Sequence, residues 1–297
     1  MSFSSEVKNE LLSSEISPCC KHARNYGLLL FGRAFSATEL SILSENPAIA
    51  EAYCDAIHTL SGTEVRPTVT AGGKYKVFVD SKEIINAVFE KLGINAQTVK
   101  RHINFANFQD SCCFAAFISG AFLACGTVTN PEKEYHLEFS VSTKTLCDDL
   151  IKLFDEYEPK PKMTQRSGSY TVYFKNSTDI EDVLSIMGAI ENSLQFMGAK
   201  VYKDIRNTVN RKVNFENANL ARTIAAATKQ YEAIALIKEK IGFDSLPPEL
   251  REIARLRYED RELSNSEIAS MLSESLTVSG VNHRFKRLIK IAEDLKK

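Results

Sequence analysis

Over the last thirty-five residues, apolar positions recur at helical spacing. Val281, Phe285, Leu288 and Ala292 stand at i, i+4, i+7 and i+11. At about 100° per residue they share one face of a helix. The other face carries Ser279, His283, Lys286 and Lys290, flanked by Asn282 and Arg287. Thr277 is placed to cap this helix. Upstream, Ser264 followed by Glu267 is a capping-box pattern. It opens a shorter helix with Ile268, Ala269, Met271 and Leu272 as its stripe. Residues 273–276 read as a polar turn between the two.

The first two hundred residues carry one pattern twice. Residues 4–12 read as a short amphipathic helix with Val7, Leu11 and Leu12 inward, and Pro18 breaks the chain after it. Residues 21–35 form a nearly continuous apolar block around Gly27 and Gly32. The block is too long and too leucine-rich for a strand and predicts a buried helix. A strand at 39–44 follows, then a helix at 46–60 opened by Asn46-Pro47. Two alternating runs, 64–70 and 74–80, flank Ala71-Gly72-Gly73 as a hairpin. A helix at 81–92 ends at Gly93. The order then returns: helix 113–125, strand 135–142, helix 143–157, a hairpin of 163–166 and 170–175 around Ser167-Gly168-Ser169, and helix 177–187 closed by Gly188.

Residues 74–93 and 169–188 align 95 positions apart, with Tyr75 over Tyr170, Val77 over Val172, Ile85 over Ile180 and Val88 over Val183. This is an internal duplication, and two copies are too few for a solenoid. Two α-β-α-β-β-α units about a pseudo-two-fold axis are expected. Helices 21–35 and 113–125 would meet there through Gly27, Gly32, Gly120, Ala121, Ala124 and Gly126, and the two sheets would form a saddle. After Gly198 the chain turns polar. Residues 201–218 read as a linker, 220–241 as a long helix stopped by Gly242, and Pro247-Pro248 as the start of another. The fold class is therefore α+β: a duplicated domain over 1–200, a polar linker over 201–218 and an all-α domain over 219–297.

Bulk properties narrow the function without choosing it. A hydrophobic content of 44% and a charged content of 25% are ordinary for a globular chain. A net charge of −1 means that any nucleic-acid contact must come from clustered cations. No run reaches the roughly 18 apolar residues of a membrane span, and the first residues do not resemble a secretory signal. No membrane partner and a cytoplasmic location are expected. The seven cysteines include the adjacent pairs Cys19/Cys20 and Cys112/Cys113. No C-x-x-C occurs, so the spacing argues against a zinc site. Cys19, Cys20 and His22 lie together and are compatible with a metal, but small buried residues in a reducing cytosol are the simpler reading. No thiol catalysis is assigned.

A short capped helix, a turn and a longer basic helix are the layout of a helix-turn-helix reader, whose second helix enters the major groove. Ser279, Asn282 and His283 come early enough to meet base edges, and Asn282 suits adenine. Lys286, Arg287 and Lys290 suit phosphates. Ser266 and Arg284 complete the expected DNA-binding set. An ordinary helical hairpin with a solvated charged face remains the alternative.

ISGAFLACG, residues 118–126, is similar to the LAGLIDADG motif of homing endonucleases, and NYGLLLFGR, residues 25–33, looks like its other copy. NFENANLART (214–223), LPPELREIARLR (246–257), SGVNHRFKRL (279–288) and GAFLACGTVTNPEKEYHLEF (120–139) extend the likeness over essentially the whole chain, which resembles the WhiA family. Those are bacterial transcription regulators that join a LAGLIDADG-type domain to a helix-turn-helix. The resemblance implies sequence-specific binding of double-stranded DNA and control of sporulation, cell-division or chromosome-segregation genes. It also implies a monomer at the nucleoid with no cofactor, and a further transcription factor or cell-division protein as partner. An active endonuclease of this fold places an acid near the end of each motif helix to hold divalent metal. The matching positions here are Gly32 and Cys125, and neither offers a hard oxygen ligand. No enzyme activity is expected. Lys74, Lys76, Arg66, Lys175 and Arg166 lie on or near the hairpins, where an old DNA-facing surface would be. Solvated surface charge reads them equally well, and a protein-interaction scaffold or a structured-RNA binder stays open.

Overall fold

In the computed structural model, which describes residues 2–95, 101–155, 157–166 and 168–296, the chain divides into two compact units, Met1–Asp204 and Ile205–Lys297. The first is the duplicated domain. Helix α1 (Phe3–Ser13) turns Phe3, Val7 and Leu11 into the core. Helix α2 (Pro18–Leu30), strands β1 (Ala34–Phe35) and β2 (Leu40–Ser44), helix α3 (Pro47–Ser61), strands β3 (Thr68–Val69) and β4 (Tyr75–Val79) and helix α4 (Lys82–Lys91) make the first copy. Helix α5 (Ser111–Cys125), strands β5 (Gly126–Val128) and β6 (Leu137–Val141), helix α6 (Lys144–Phe154), strands β7 (Lys162–Arg166) and β8 (Ser169–Phe174) and helix α7 (Ser177–Met187) make the second. Both sheets are antiparallel. Their orders, β1-β2-β4-β3 and β5-β6-β8-β7, are the same once the second copy is laid on the first.

The duplication read from residues 74–93 and 169–188 is thus the β4–α4 and β8–α7 pair. Gly93 and Gly188, the closing glycines, have φ of +58° and +91°, a left-handed geometry that other residues adopt only with strain. Helices α2 and α5 run side by side at the centre. A Cβ on Gly27 would lie 2.3 Å from the Phe117 carbonyl oxygen, and one on Gly120 would lie 2.0 Å from that of Arg24. Each helix therefore needs glycine where the other's backbone passes. Tyr26, Phe31, Phe108 and Phe117 close the crossing with ring centroids 5.1–6.5 Å apart.

Three expectations change. The block at 21–35 does not stay helical to its end. Helix α2 stops at Leu30, and Ala34–Phe35 pairs with β2, Ala34 facing Ser41 and Phe35 facing Leu40. The Ser36 side chain holds this tight hairpin by accepting from the backbone of Glu39 at 3.0 Å. Strand β5 is its counterpart, so each copy has one strand more than the pattern of apolar residues indicated. Two or three residues are too few to display a period of two.

The stretch 201–218 is also not irregular chain. It lies inside helix α8 (Ile190–Lys240), 51 residues long. No glycine or proline occurs between Ala199 and Ile241 to stop it. Glu10 of α1 caps its start, accepting from the backbone of Glu191 at 2.7 Å and of Asn192 at 3.0 Å. Finally, Ser167 at the second hairpin's tip, Glu156 near the end of the helix expected at 143–157, and the terminal Met1 and Lys297 lie outside the described residues, as does the side chain of Arg166.

The second unit holds the rest of α8, then α9 (Pro248–Glu259), α10 (Asn265–Met271) and α11 (Val278–Asp294). Its core joins Ile234 and Ile237 of α8, Leu250, Ile253 and Ala254 of α9, Ile268 of α10, and Val281, Phe285, Leu288 and Ala292 of α11. The last four are the face the apolar spacing selected. The capping box at Ser264 forms in both directions, and Thr277 caps α11 by accepting from Gly280.

Candidate nucleic-acid interface

Helices α10 and α11, joined by a short turn, form the helix-turn-helix. One buried cation fixes their placement. The Arg257 side chain of α9 is 1% exposed. Its guanidinium donates to Gln230 Oε1 of α8 at 3.1 Å, to the Arg261 carbonyl at 3.0 Å, to the Leu263 carbonyl and to Asn265 Oδ1 of α10 at 3.0 Å. It also lies 5.3 Å from the ring centre of Phe285 on α11. A five-donor planar fork can satisfy four acceptors at once, which an ammonium with three N–H donors could not. Burial lowers its affinity for the proton, and the surrounding acceptors offset that cost. Two further ties set the turn. Glu252 of α9 accepts from Ser273 through its backbone at 2.9 Å and its hydroxyl at 2.7 Å. These bonds hold the Glu252 carboxyl below the usual carboxylate range.

Against this scaffold, α11 presents Ser279, Asn282, His283, Lys286, Arg287 and Lys290 as exposed residues. Ser266, second in α10, is exposed too. The structure therefore brings seven of the eight expected residues to the surface of the two helices. Arg284 is different: it donates to the Glu249 carbonyl at 3.1 Å and to the Glu274 carboxylate, and its side chain is 12% exposed. It ties α9 to α11 instead of facing outward. Asn282 accepts at Oδ1 from Asn265 Nδ2 at 2.7 Å, so one side of its amide is already used within the domain. Arg287 is exposed but pairs with Glu249 at 3.2 Å.

Sequence reading missed a groove beside these helices. A cavity of about 930 Å³ is lined by Arg222, Tyr231, Arg261, Asn265 and Ser266 among others. Arg261 stacks 3.5 Å from the centre of the Tyr231 ring, which itself stacks on Tyr258. Helical spacing on α8 and α9 could not show that these residues converge. The unit as a whole holds 17 basic and 13 acidic residues, a net charge of +4, whereas the first unit nets −5. A chain with almost no net charge thus concentrates its cations on the helix-turn-helix part.

At the ends of the axis helices the geometry supports the chemistry argued from the motif. A Cβ on Gly32 would lie 2.9 Å from the Ser41 carbonyl oxygen and 3.1 Å from the Tyr53 ring, so the place of a catalytic acid is filled by other atoms. Burial pushes the Cys125 thiol up to about 12, with Lys8 pulling the other way. At neutral pH it is a protonated thiol. A cleft of about 310 Å³ lies between Gly32 and Cys125, and its lining residues, which include Ser140, Ser142 and Ser169, hold no carboxylate. Glu39 and Glu138 are engaged elsewhere, Glu39 by the Ser41 hydroxyl at 2.6 Å and Glu138 by His136 at 3.0 Å.

The outward side of the first sheet shows Leu43 beside Lys76, and Phe78, which pairs with the buried Ser41 and is itself 48% exposed. Lys74 pairs with Glu45 at 2.8 Å and Lys76 lies over the Phe78 ring at 4.6 Å. Arg66 is exposed near β3, and Lys175 lies 5.5 Å from the Tyr173 ring centre. His22, weighed as a metal ligand, instead meets Asn107 Oδ1 at 2.9 Å.

Comparison with known proteins covers both units. The WhiA LAGLIDADG-like domain matches residues 114–206, and the WhiA C-terminal HTH domain matches residues 209–292. A protein of Ruminiclostridium cellulolyticum named probable cell division protein WhiA is 35% identical over 309 residues, spanning 100% of this chain and 99% of its own. A Bacillus subtilis protein of the same name is 36% identical over 308 residues, spanning 100% and 98%. The crystal structure of full-length WhiA from Thermotoga maritima, 26% identical, superposes with a TM-score of 0.61 over 99% of each chain. Among the described residues, no helix is long and apolar enough to cross a membrane.

Proposed function

The chain belongs to the WhiA family, and from that premise we propose that it is a sequence-specific, double-stranded-DNA-binding transcription regulator without enzyme activity. The observation that carries this reading is the division of α11. Val281, Phe285, Leu288 and Ala292 are buried, and Ser279, Asn282, His283, Lys286 and Lys290 are exposed on the opposite side. In the proposed complex α11 lies in the major groove. Ser279, His283 and the donor side of Asn282 meet base edges there. Lys286, Arg287 and Lys290 neutralise phosphates, Arg287 exchanging Glu249 for the backbone, and Ser266 supports them from α10. Arg284 keeps its place within the domain. The names of the relatives support cell-division genes as targets, with sporulation and chromosome segregation as related programmes. A monomer acting at the nucleoid fits a chain that already contains its own pseudo-dimer.

The net negative charge of the first unit and the exposed Leu43 and Phe78 favour a protein partner for that unit over DNA, a further transcription factor or a cell-division protein. The test of the main reading is fluorescence anisotropy of the whole chain against duplex DNA at several salt concentrations, with a parallel Mg²⁺ series to score nicking. A steep salt dependence without cleavage is expected. Each phosphate neutralised contributes a slope of about −0.9 in log K against log salt. Absence of binding at moderate salt would move the chain to the scaffold reading, and Mg²⁺-dependent nicking would restore the nuclease.

A further inference from the structure

The two cysteine pairs, 93 positions apart in sequence, come together at the starts of the axis helices. Cys19 and Cys20 are the second and third residues of α2, and Cys112 and Cys113 are the second and third of α5. All four Sγ atoms lie within 4.8 Å of one another, and those of Cys20 and Cys112 are 3.3 Å apart. We propose that Cys19, Cys20, Cys112 and Cys113 form a structural site for one thiophilic metal ion, Zn²⁺ above all, which clamps the two halves of the duplicated domain at their axis.

Distance is the first argument. Zinc binds thiolate sulfur at about 2.3 Å, so four sulfurs at the corners of a tetrahedron stand about 3.8 Å apart. The observed spacing, with one edge at 3.3 Å and none beyond 4.8 Å, brackets that value. A disulfide needs sulfurs about 2.05 Å apart, and no pair is at that separation in these four residues, which remain free thiols. Chemistry is the second. Four sulfur donors in a tetrahedral set select zinc or iron over Mg²⁺ or Ca²⁺, and four protein ligands leave no open position, which marks a structural site.

Surroundings are the third. Cys20 and Cys113 are buried, Cys19 is partly covered and Cys112 is exposed, which gives an ion a path in. Binding takes one proton from each thiol, and the four thiolates leave the site with a net charge of −2. The cluster sits in the first turn of both helices, at their positive ends, which favour negative charge. Neither receives a side-chain cap from its N-cap residue, Ser17 or Asp110. The Ser17 hydroxyl lies 3.2 Å from Cys19 Sγ, positioned to donate to a bound thiolate. A single ion would thus join the two copies just where α2 and α5 begin, some two turns before they cross at Gly27 and Gly120.

The experiment uses the full chain, purified under reducing conditions, stripped with chelator and titrated anaerobically with Co²⁺, then with Zn²⁺. The expected result is one equivalent of Co²⁺ giving the thiolate charge-transfer and strong visible bands of a tetrahedral sulfur site, displaced stoichiometrically by Zn²⁺. Chelation should lower the melting temperature of the first unit. Cys112→Ser, at the exposed ligand, should weaken binding at least tenfold and keep a wild-type circular dichroism spectrum. Cys147→Ser, a buried cysteine outside the cluster, should bind like wild type. The proposal is overturned if the reduced wild-type chain shows no tetrahedral cobalt spectrum, if Cys112→Ser binds as tightly as wild type, or if the four cysteines are recovered as disulfides after anaerobic reduction.

Discussion

Replacing Arg257 by alanine should destabilise the helix-turn-helix unit without touching any residue proposed to meet DNA. The guanidinium occupies four acceptors from three directions. Gln230 is 5% exposed, so its oxygen would be left buried without a donor, at a cost of about 1–3 kcal/mol. Arg261, Leu263 and Asn265 are less covered, and water would take part of their loss. Adding the packing of the arginine stem gives a total of about 3–5 kcal/mol. A unit of about 93 residues has a stability of roughly 5–14 kcal/mol. The melting temperature should therefore fall by at least about 12 °C, at about 4 °C or more for each kcal/mol. Circular dichroism melts of the full chain read the total, and hydrogen exchange at α10 and α11 locates it. Arg257→Met should be nearly as damaging. Arg257→Met with Gln230→Leu should recover part of the loss, because it removes the orphaned partner as well. A melt of Arg257→Ala within about 3 °C of wild type, or no recovery in the double variant, would refute the account.

Five further outcomes are expected. Lys286→Ala with Lys290→Ala should weaken DNA binding and reduce the salt slope by about 2, and an unchanged slope would remove these lysines from the interface. Gly120→Ala should destabilise the first unit by about 3 kcal/mol or more, since its Cβ would lie 2.0 Å from a backbone oxygen. Gly198→Ala, with nothing within 4 Å, should be neutral or stabilising in the same denaturant titration. Gly32→Asp should lower the melting temperature and yield no Mg²⁺-dependent cleavage of plasmid DNA, because Ser41 and Tyr53 occupy the space. The Glu267 carboxyl is held below its ordinary 4.5 by the backbone and then the side chain of Ser264. A depressed folded-state pKa stabilises above the unfolded value and is lost as pH falls through the folded one. Exchange protection of α10 should therefore fall below about pH 4.5 in wild type and be flatter in Glu267→Gln.

How much of this was readable in the chain follows from the range of each signal. Helix α11 was legible because its core face and its caps are set within seventeen residues. The β4–α4 and β8–α7 equivalence was legible because duplicated packing keeps the same apolar positions. The helix through 201–218 was hidden. A polar helix lacks an apolar stripe, and only the absence of glycine and proline betrays it. The groups that fix the site were hidden for another reason. Arg257 and Arg284 look like surface cations in sequence, and burial of an arginine depends on acceptors supplied by other elements. The same holds for Asn282, whose bond to Asn265 crosses two helices.

The cysteine cluster falls between these cases. Two residues far apart in sequence normally give no sign of meeting. In a duplicated fold, however, a residue near the pseudo-two-fold axis is close to its own counterpart. The axis helices fix the offset: Gly27 and Gly120, which face each other's backbone, are 93 positions apart, as are Gly32 and Cys125. Cys19 and Cys112, and Cys20 and Cys113, share that offset. A C-x-x-C search looks for four ligands on local turns and passes over them. Pairs repeated at the axis offset meet by symmetry, because the operation that brings the glycines together acts on the same two helices two turns earlier. The duplication therefore turns two unremarkable C-C dipeptides into one four-sulfur constellation, and it makes the contact between the copies a property of the repeat itself.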